Sequence, residues 1–458
     1  MACLDLSALS PRPETSWTRQ TDSSETVASP KPLKDLVGIA SSVAAQYPLL
    51  NGLFELYYPT TTKKSPKPNA RTGESSSSIP EHLPLYKCAS DAFDEAYTKY
   101  GLATHMGVLD PSYHIFVSQH GYGSAVYRIR HRTAVITGDP LCSADDLEPL
   151  MGEFFQFSCH RKLHVAFMGV SEVFADYAKK RGWTTILFAR ERVLNPQTNM
   201  VLRKQAGKRM MAQNRRLLDP HRLGLSVYTY SPSSSTFNPK LEVGLQTIYD
   251  EWRRGRNSQS SSGPQAFITV FNLFSYPDVT MFVYATDSSG TIVGFAELRS
   301  TGAVDGFHLD PCVATPDAPS GTTELLITMS MLLLREAGIG NLSLGFEPLS
   351  DLTEISGQPN LKTSVARWGY RQIISSLPIK GKTAFNDKFK PDKALEGSLY
   401  IAMPRVAWPL RQGAALMHIA NIKLGRLLGV KVSELKGRLR KAERRRKEQQ
   451  RANLERDI

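Results

Sequence analysis

Gly306-Phe-His-Leu-Asp-Pro-Cys-Val-Ala-Thr-Pro-Asp-Ala-Pro-Ser-Gly-Thr-Thr-Glu-Leu-Leu326 reads as strand, turn and helix in a single run. The strand ends near Leu309 and delivers Asp310 to its carboxyl end. A turn rich in Pro and Gly follows, and a helix begins at Gly321–Thr322. Open α/β sheets gather ligands at such strand ends, where a helix N-terminus offers unpaired backbone N–H groups. Asp310, with His308 two residues before it, is placed to accept a proton from an attacking hydroxyl. An Asp beside a Pro also caps turns for structural reasons alone, so both roles stay open at this point. Cys312, Val313, Gly321 and Thr322 fall in the same segment and are candidate cleft residues.

Similar elements lie on either side. Upstream, strand composition at His114–Ser118, Ser124–Arg130 and Arg132–Thr137 leads into a helix over Asp145–His160. Strand Val165–Met168, helix Glu172–Arg181 and strand Thr185–Phe188 come next, and Met200–Leu218 reads as one basic helix before strand Leu225–Tyr230. The order then restarts with helix Leu241–Arg254, strands Thr280–Ala285 and Ile292–Arg299, and the opening run. Helix Thr322–Ala337, strand Leu342–Phe346, helix Lys362–Trp368 and strand Ser398–Ala402 close the series. Two such series predict an α/β fold of two units, residues 85–235 and 236–404. Residues 1–34 read as disordered, 35–58 as a short helical segment, 59–84 as a Ser- and Pro-containing linker, and Arg256–Pro264 as a loop. Residues 405–458 read as a basic helical tail. Leu416, Met417, Ile419, Leu424, Leu427, Leu428 and Val430 share one side of it, an arrangement that suits either a membrane interface or packing on the body.

The net charge is +13, of which +10 lies in Pro404–Ile458 and +6 in Arg203–Arg222, leaving −3 for the remainder. Blocks of this kind attract polyanions, although a solvated basic surface is the plain alternative. Five cysteines without a CxxC spacing argue against a disulfide framework or a structural zinc site, and fit a reducing compartment. No apolar signal core is present in Met1–Lys34, and the apolar run Leu325–Leu334 falls short of the roughly 20 residues a membrane span needs. The expectation is a cytoplasmic protein that meets membranes peripherally.

Three further segments carry chemistry. Within Arg203–Arg216, Lys204, Lys208 and Arg215 recur at helical spacing and suit a phosphodiester backbone, with Arg203, Arg209 and Arg216 adding charge. Leu344-Gly-Phe-Glu-Pro-Leu-Ser350 is a strand running into a turn, so Glu347 can face the same cleft as Asp310. Phe385-Asn-Asp-Lys-Phe-Lys-Pro391 interleaves Lys388 and Lys390 with aromatics, which suits a phosphate and a terminal base.

In order and spacing, several of these pieces resemble the C-terminal catalytic domain of bacterial phosphatidylglycerol lysyltransferases between Tyr86 and Pro404. They are Thr137-Gly-Asp-Pro140, the basic run from Arg203, Asp250-Glu-Trp252, Gly294-Phe-Ala296, Asp310 with Pro316-Asp-Ala318, Leu344-Gly-Phe-Glu-Pro-Leu349 and Lys388-Phe-Lys-Pro391. The resemblance implies a tandem acetyltransferase-like (GNAT) fold and transfer of an aminoacyl group, with aminoacyl-tRNA as co-substrate and neither metal nor other cofactor. The bacterial enzymes carry an N-terminal flippase that this sequence lacks, and it looks more like the freestanding fungal members that aminoacylate ergosterol. Some of those relatives are fused to an aspartyl-tRNA synthetase, which this N-terminus cannot hold. The resemblance therefore points to glycine from Gly-tRNA, the sterol 3β-hydroxyl as acceptor, and a membrane met through the C-terminal tail.

One departure is Val313, where the bacterial pattern has an Arg three residues after the Asp; its loss fits an uncharged acceptor. In this reading Asp310 and His308 serve the acceptor hydroxyl, and backbone N–H groups at Thr322 face the developing charge. Arg203, Lys204, Lys208, Arg209, Arg215, Arg216, Lys388 and Lys390 hold the tRNA. The rivals are another lipid acceptor such as phosphatidylglycerol, an acetyl-CoA N-acetyltransferase, and a non-catalytic RNA- or membrane-binding protein.

Overall fold

The computed structural model describes residues 33–58, 91–105, 108, 110–219, 222–229, 238–258, 272–357, 367–371, 374, 379–404 and 410–420. The helices are α1 Leu33–Gln46, α2 Asn51–Tyr57, α3 Asp91–Tyr100, α4 Leu147–His160 and α5 Glu172–Lys180, then α6 Lys208–Leu217, α7 Pro239–Ser258, α8 Thr322–Glu336, α9 Ile379–Asp387 and α10 Leu410–Ile419. The strands are β1 His114–Val117, β2 Ser124–Arg130, β3 Thr133–Thr137, β4 His164–Val170, β5 Thr184–Leu194 and β6 Leu223–Thr229. They continue with β7 Thr280–Asp287, β8 Ile292–Thr301, β9 Gly306–Ala314, β10 Leu342–Pro348, β11 Ile355–Ser356 and β12 Ser398–Met403.

The expected repeat is visible as β1-β2-β3-α4-β4 against β7-β8-β9-α8-β10. In each copy three antiparallel strands lead through one helix to a strand parallel to the last of them. The copies are joined into one 12-stranded sheet in the order β1-β2-β3-β4-β12-β5-β10-β9-β8-β7-β6, with β11 on β5. Strand pairing does not follow a division at 235/236. β6 pairs with β7, and β12, late in the chain, lies between β4 and β5, while β5 also pairs with β10.

The helix α8 is apolar almost all round, which marks an interior helix rather than a surface one. Its residues Leu325–Leu334 are buried, and α8 packs on β7, β8 and β9 on one side and on α1, α2 and α6 on the other. The segment 33–58 docks here as well. Leu36, Ala40, Leu50, Leu53 and Phe54 are buried in the same cluster, and the Leu50 N–H donates to the Leu225 carbonyl at 2.7 Å.

Several expected boundaries shift. The basic helix starts at Lys208, not Met200, because Gly207 adopts a left-handed φ of 68° and residues 200–206 form turns. The strand from Gly306 continues to Ala314, so Asp310 lies within it rather than at its end. The loop over Arg256–Pro264 begins later than its composition suggests: α7 runs to Ser258, and 259–264 lie outside the described residues. So do 362–366 of the helix expected at Lys362–Trp368, the disordered segment but for its last two residues, the linker, and the tail apart from 410–420. In that described piece Leu416 and Ile419, on the apolar side that suits either a membrane interface or packing on the body, are buried against the body. Cys142 and Cys312 are free thiols, whereas Cys159 is disulfide-bonded, a departure from the expectation of wholly reduced cysteines.

Candidate functional site

The two parallel pairs of the sheet differ. In the first copy β3 and β4 pair at five registers, Thr133↔His164 through Thr137↔Met168. In the second, β9 and β10 pair only at Leu342↔Phe307 and Ser343↔His308. Beyond those registers no pairing joins them, although β9 runs on to Ala314 and β10 to Pro348. The sheet is therefore split between these strands, and the split begins at His308.

Alternation along β8 and β9 places a charged group beside that split. Ala296, Leu298, Phe307 and Leu309 belong to the core around α8, whereas Phe295 and Val313 belong to the core around α7. Residues between them point to the α7 side, and these are Glu297, Arg299, His308 and Asp310. Register shifts between Ala296 and Leu298, so that Asp310 and Pro311, joined by a cis peptide bond, face Glu297 across a bulge.

Arg299 is among the largest fully buried side chains, and its guanidinium lies 3.1 Å from His308 Nδ1. Glu297 is 0% exposed, and neither carboxylate oxygen has a hydrogen-bond partner. Asp310 is half-buried. The split also reaches Gly345 on β10, whose φ of 76° favours glycine. A Cβ built there would lie 3.2 Å from His308 Nε2 and 3.9 Å from the Lys382 ammonium nitrogen on α9. The missing side chain leaves room beside both nitrogens.

The electrostatics follow from burial. It raises the Asp310 carboxyl above its ordinary range, opposed by Lys382 and Arg299. Glu297 is pushed well up by burial, against the pull of Arg299 and with the repulsion of Asp310. His308 is held well below its ordinary value, first by burial and then by Arg299 and Lys382, so it is neutral. The Tyr249 hydroxyl on α7 is raised by burial and then by Asp310. Burial, Glu324 and Asp310 also raise the Cys312 thiol, which argues against a nucleophilic thiolate.

The structure brings Asp310 and His308 together and separates them from several other candidates. Val313 is 1% exposed and packs in the core with Phe295 and Leu245, so it does not line the split. Glu347 is buried, accepts from Asn386 Nδ2 at 2.7 Å and sits 3.9 Å from Arg192. Arg192 also pairs with Asp387 and with Glu396, so this network fastens α9 to β5 and β10. Glu347 thereby positions the helix that carries Lys382.

The start of α8 is not an open anion site. Glu324 lies in its first turn, its carboxylate bonds its own backbone N–H, and it pairs with Lys388 at 2.8 Å. Gly321 is the N-cap at φ 97°, and the Thr322 N–H donates to Pro319 at 3.2 Å. Lys388, expected to be free for phosphate, is committed to this pair, while Lys390 is exposed.

The cations of α6 and of the turns before it are exposed at Arg203, Lys204, Lys208, Arg209, Arg215 and Arg216, and none forms an ion pair among the described residues. Arg215 donates to the Tyr58 carbonyl at 3.2 Å, Lys204 lies over the Tyr58 ring, and Arg203 makes a long contact to Gln197. Lys208, Arg209 and Arg216 remain uncommitted. Gln213 of α6 donates to the Ser320 carbonyl at 2.6 Å, so this basic helix abuts the turn that opens α8. The Thr137-Gly-Asp-Pro140 segment is structural: the Asp139 carboxylate accepts from the Ser171 N–H and hydroxyl at 2.8 and 2.6 Å, tying β3 to the cap of α5.

The family model for the phosphatidylglycerol lysyltransferase C-terminal region matches residues 96–402, well over half of the chain. The chain belongs to that family. A phosphatidylglycerol lysyltransferase of Staphylococcus epidermidis is 20% identical over 314 residues, which make up 67% of this chain and 36% of that relative. This member of the phosphatidylglycerol lysyltransferase family therefore spans about a third of that relative's length. Among solved structures it is similar to L-PGS from Bacillus licheniformis, with a TM-score of 0.56, 18% identity, and coverage of 72% of this chain and 95% of that one. The C-terminal domain of a putative lysylphosphatidylglycerol synthetase from Agrobacterium fabrum gives a TM-score of 0.55, 19% identity, and coverage of 73% and 96%. The family member thus shares the α/β fold of these two structures, with the expected repeat of two strand-and-helix units in its sheet.

Sequence reasoning missed Glu297, Arg299, Tyr249 and Lys382. For the first two a signal exists. Charged residues at 297 and 299 share the alternation phase of the strand that pairs with His308 and Asp310.

Proposed function

We propose that this protein transfers an aminoacyl group from a charged tRNA to a lipid hydroxyl, with glycine as the amino acid and the ergosterol 3β-hydroxyl as the acceptor. The observation that carries the reading is the split between β9 and β10, lined by Asp310 and His308. An acid-free basic helix, α6, abuts the turn between β9 and α8. The aminoacyl ester is already activated, so exchange of one ester for another needs alignment, a proton acceptor and stabilisation of an oxyanion. Asp310 supplies the acceptor. Lys208, Arg209 and Arg216 supply a phosphate-binding surface beside the start of α8. Family membership supports aminoacyl transfer to a lipid.

A phosphatidylglycerol acceptor is the second reading, favoured by the similarity to the Staphylococcus phosphatidylglycerol lysyltransferase. An acetyl-CoA donor fits less well. The Glu324 carboxylate occupies the α8 N-terminus, and Asp317 stands exposed in the turn before it, where a pyrophosphate would meet repulsion. The deciding experiment offers liposomes containing only ergosterol, or only phosphatidylglycerol, as the hydroxyl acceptor, with total tRNA, synthetases and each labelled amino acid in turn. Label from glycine alone moves into the sterol fraction if the reading holds. Label confined to phosphatidylglycerol selects the second reading, and acetylation from CoA without RNA overturns both.

Reversing Lys208, Arg209 and Arg216 to Glu removes three uncommitted cations. The slope of log affinity for tRNA against log salt should flatten by about 2–3, at roughly 0.7–0.9 per phosphate contact. Filter binding between low and physiological salt measures it. An unchanged slope would remove α6 from the tRNA surface.

A further inference from the structure

Arginine only donates hydrogen bonds, so the 3.1 Å contact from Arg299 makes His308 Nδ1 an acceptor and leaves the imidazole proton on Nε2. That N–H is buried and has no partner. It faces the space beside Gly345 where the Lys382 ammonium also arrives, and Lys382 makes no ion pair among the described residues. Two donors, one neutral and buried and one cationic on an exposed side chain, thus meet at the notch left by Gly345 at the mouth of the sheet split. A buried donor without an acceptor is costly, and such orphans mark places where a ligand completes the bonding. A neutral histidine fixed as a donor cannot serve as the base that takes the hydroxyl proton. It can stabilise a developing negative oxygen, as neutral imidazoles do elsewhere.

Resting on the aminoacyl-transfer reading above, we propose that His308 Nε2–H and the Lys382 ammonium form the oxyanion site of the reaction, with Arg299 as the positioning residue that sets the His308 tautomer. The acceptor hydroxyl oxygen attacks the ester carbonyl carbon and its proton passes to the Asp310 carboxylate. The carbonyl electron pair moves onto the oxygen held by His308 and Lys382. Collapse re-forms the carbonyl and breaks the bond to the terminal ribose oxygen, which takes the proton back from Asp310. One ester is made and one broken, and no other reactant is consumed. This placement takes over the role expected of backbone N–H groups at Thr322, where Glu324 occupies the helix terminus.

Two measurements on the full chain test the assignment. The first follows transfer from pre-charged tRNA in single and multiple turnover for wild type, His308→Leu, His308→Gln and Lys382→Met, with folding checked by thermal unfolding. His308→Leu and Lys382→Met should each lower kcat by about 10²–10³-fold with KM for charged tRNA nearly unchanged. His308→Gln, which keeps a neutral donor, should recover part of the loss. The second needs no substrate: nitrogen-15 spectra of labelled histidine, assigned by difference with His308→Gln. His308 should remain the neutral Nε2–H tautomer from pH 5 to 8 in wild type and leave that state in Arg299→Gln. A rise in KM with kcat intact, or a His308 that carries its proton on Nδ1 or titrates in that range, would overturn the proposal. A wild-type protein that moves no aminoacyl group to any lipid would instead sink the functional reading beneath it.

Discussion

Asp310→Asn should lower kcat for aminoacyl transfer by about 10²–10⁴-fold, the range general acid–base catalysis contributes, with no loss of thermal stability. The replacement is nearly isosteric. It removes a carboxylate that burial disfavours and that repels Glu297, so folding has no reason to suffer. The wild-type pH profile carries the same signature. Asp310 must be ionised to accept a proton, and burial raises its carboxyl above the ordinary carboxylate range. Activity should therefore rise with pH through this elevated value and be lost below it, and the limb should vanish from the residual activity of Asp310→Asn. Full activity in a folded Asp310→Asn protein would remove this residue from the chemistry.

Leu332→Ala should destabilise the protein by about 2–5 kcal/mol, read from the urea midpoint at unchanged slope. Leu332 is 0% exposed within α8, which is buried between the sheet and the helices α1, α2 and α6. The helix is packed by the sheet and by α1, α2 and α6, so a cavity within it cannot close by moving one surface element. The same helix carries Glu324, the partner of Lys388, and Thr328, which bonds Asn214 of α6 at 3.0 Å. Loosening α8 should thus also weaken tRNA binding. A cost below about 1 kcal/mol would mean that the α8 core relaxes around the cavity, contrary to the packing described.

Elements with a local signal were legible in the sequence. The continuous apolar run of α8 and the Ser124–Arg130 strand carry their own periodicity, and each lies where the pattern puts it. The strand β5 was half hidden, because Arg190, Glu191 and Arg192 look like a loop. The charges of Arg190 and Arg192 are met by Glu396, Glu347 and Asp387, which come from far along the chain, and Glu191 bonds Ser343. Nothing local tells β12 to insert between β4 and β5, since that choice is made by tertiary pairing. Gly207 was a readable stop that the surrounding charge pattern obscured.

At the site, the Asp-Pro turn drew the eye to Asp310 and His308. Their partners belong to other elements. Glu297 and Arg299 are legible once β8 is paired with β9, whereas Lys382 reaches the notch only because the Glu347–Asn386 bond and the Arg192 network hold α9 in place.

The most direct test of the account uses purified wild-type chain, tRNA pre-charged with labelled glycine, and ergosterol-containing vesicles, with no ATP, synthetase or CoA added. Label should pass from tRNA into the sterol fraction in a single turnover. Digesting the RNA beforehand should abolish this, and Asp310→Asn should nearly do so. Label that stays on the tRNA with every amino acid and every lipid hydroxyl offered, while the protein is folded and binds tRNA, would contradict it.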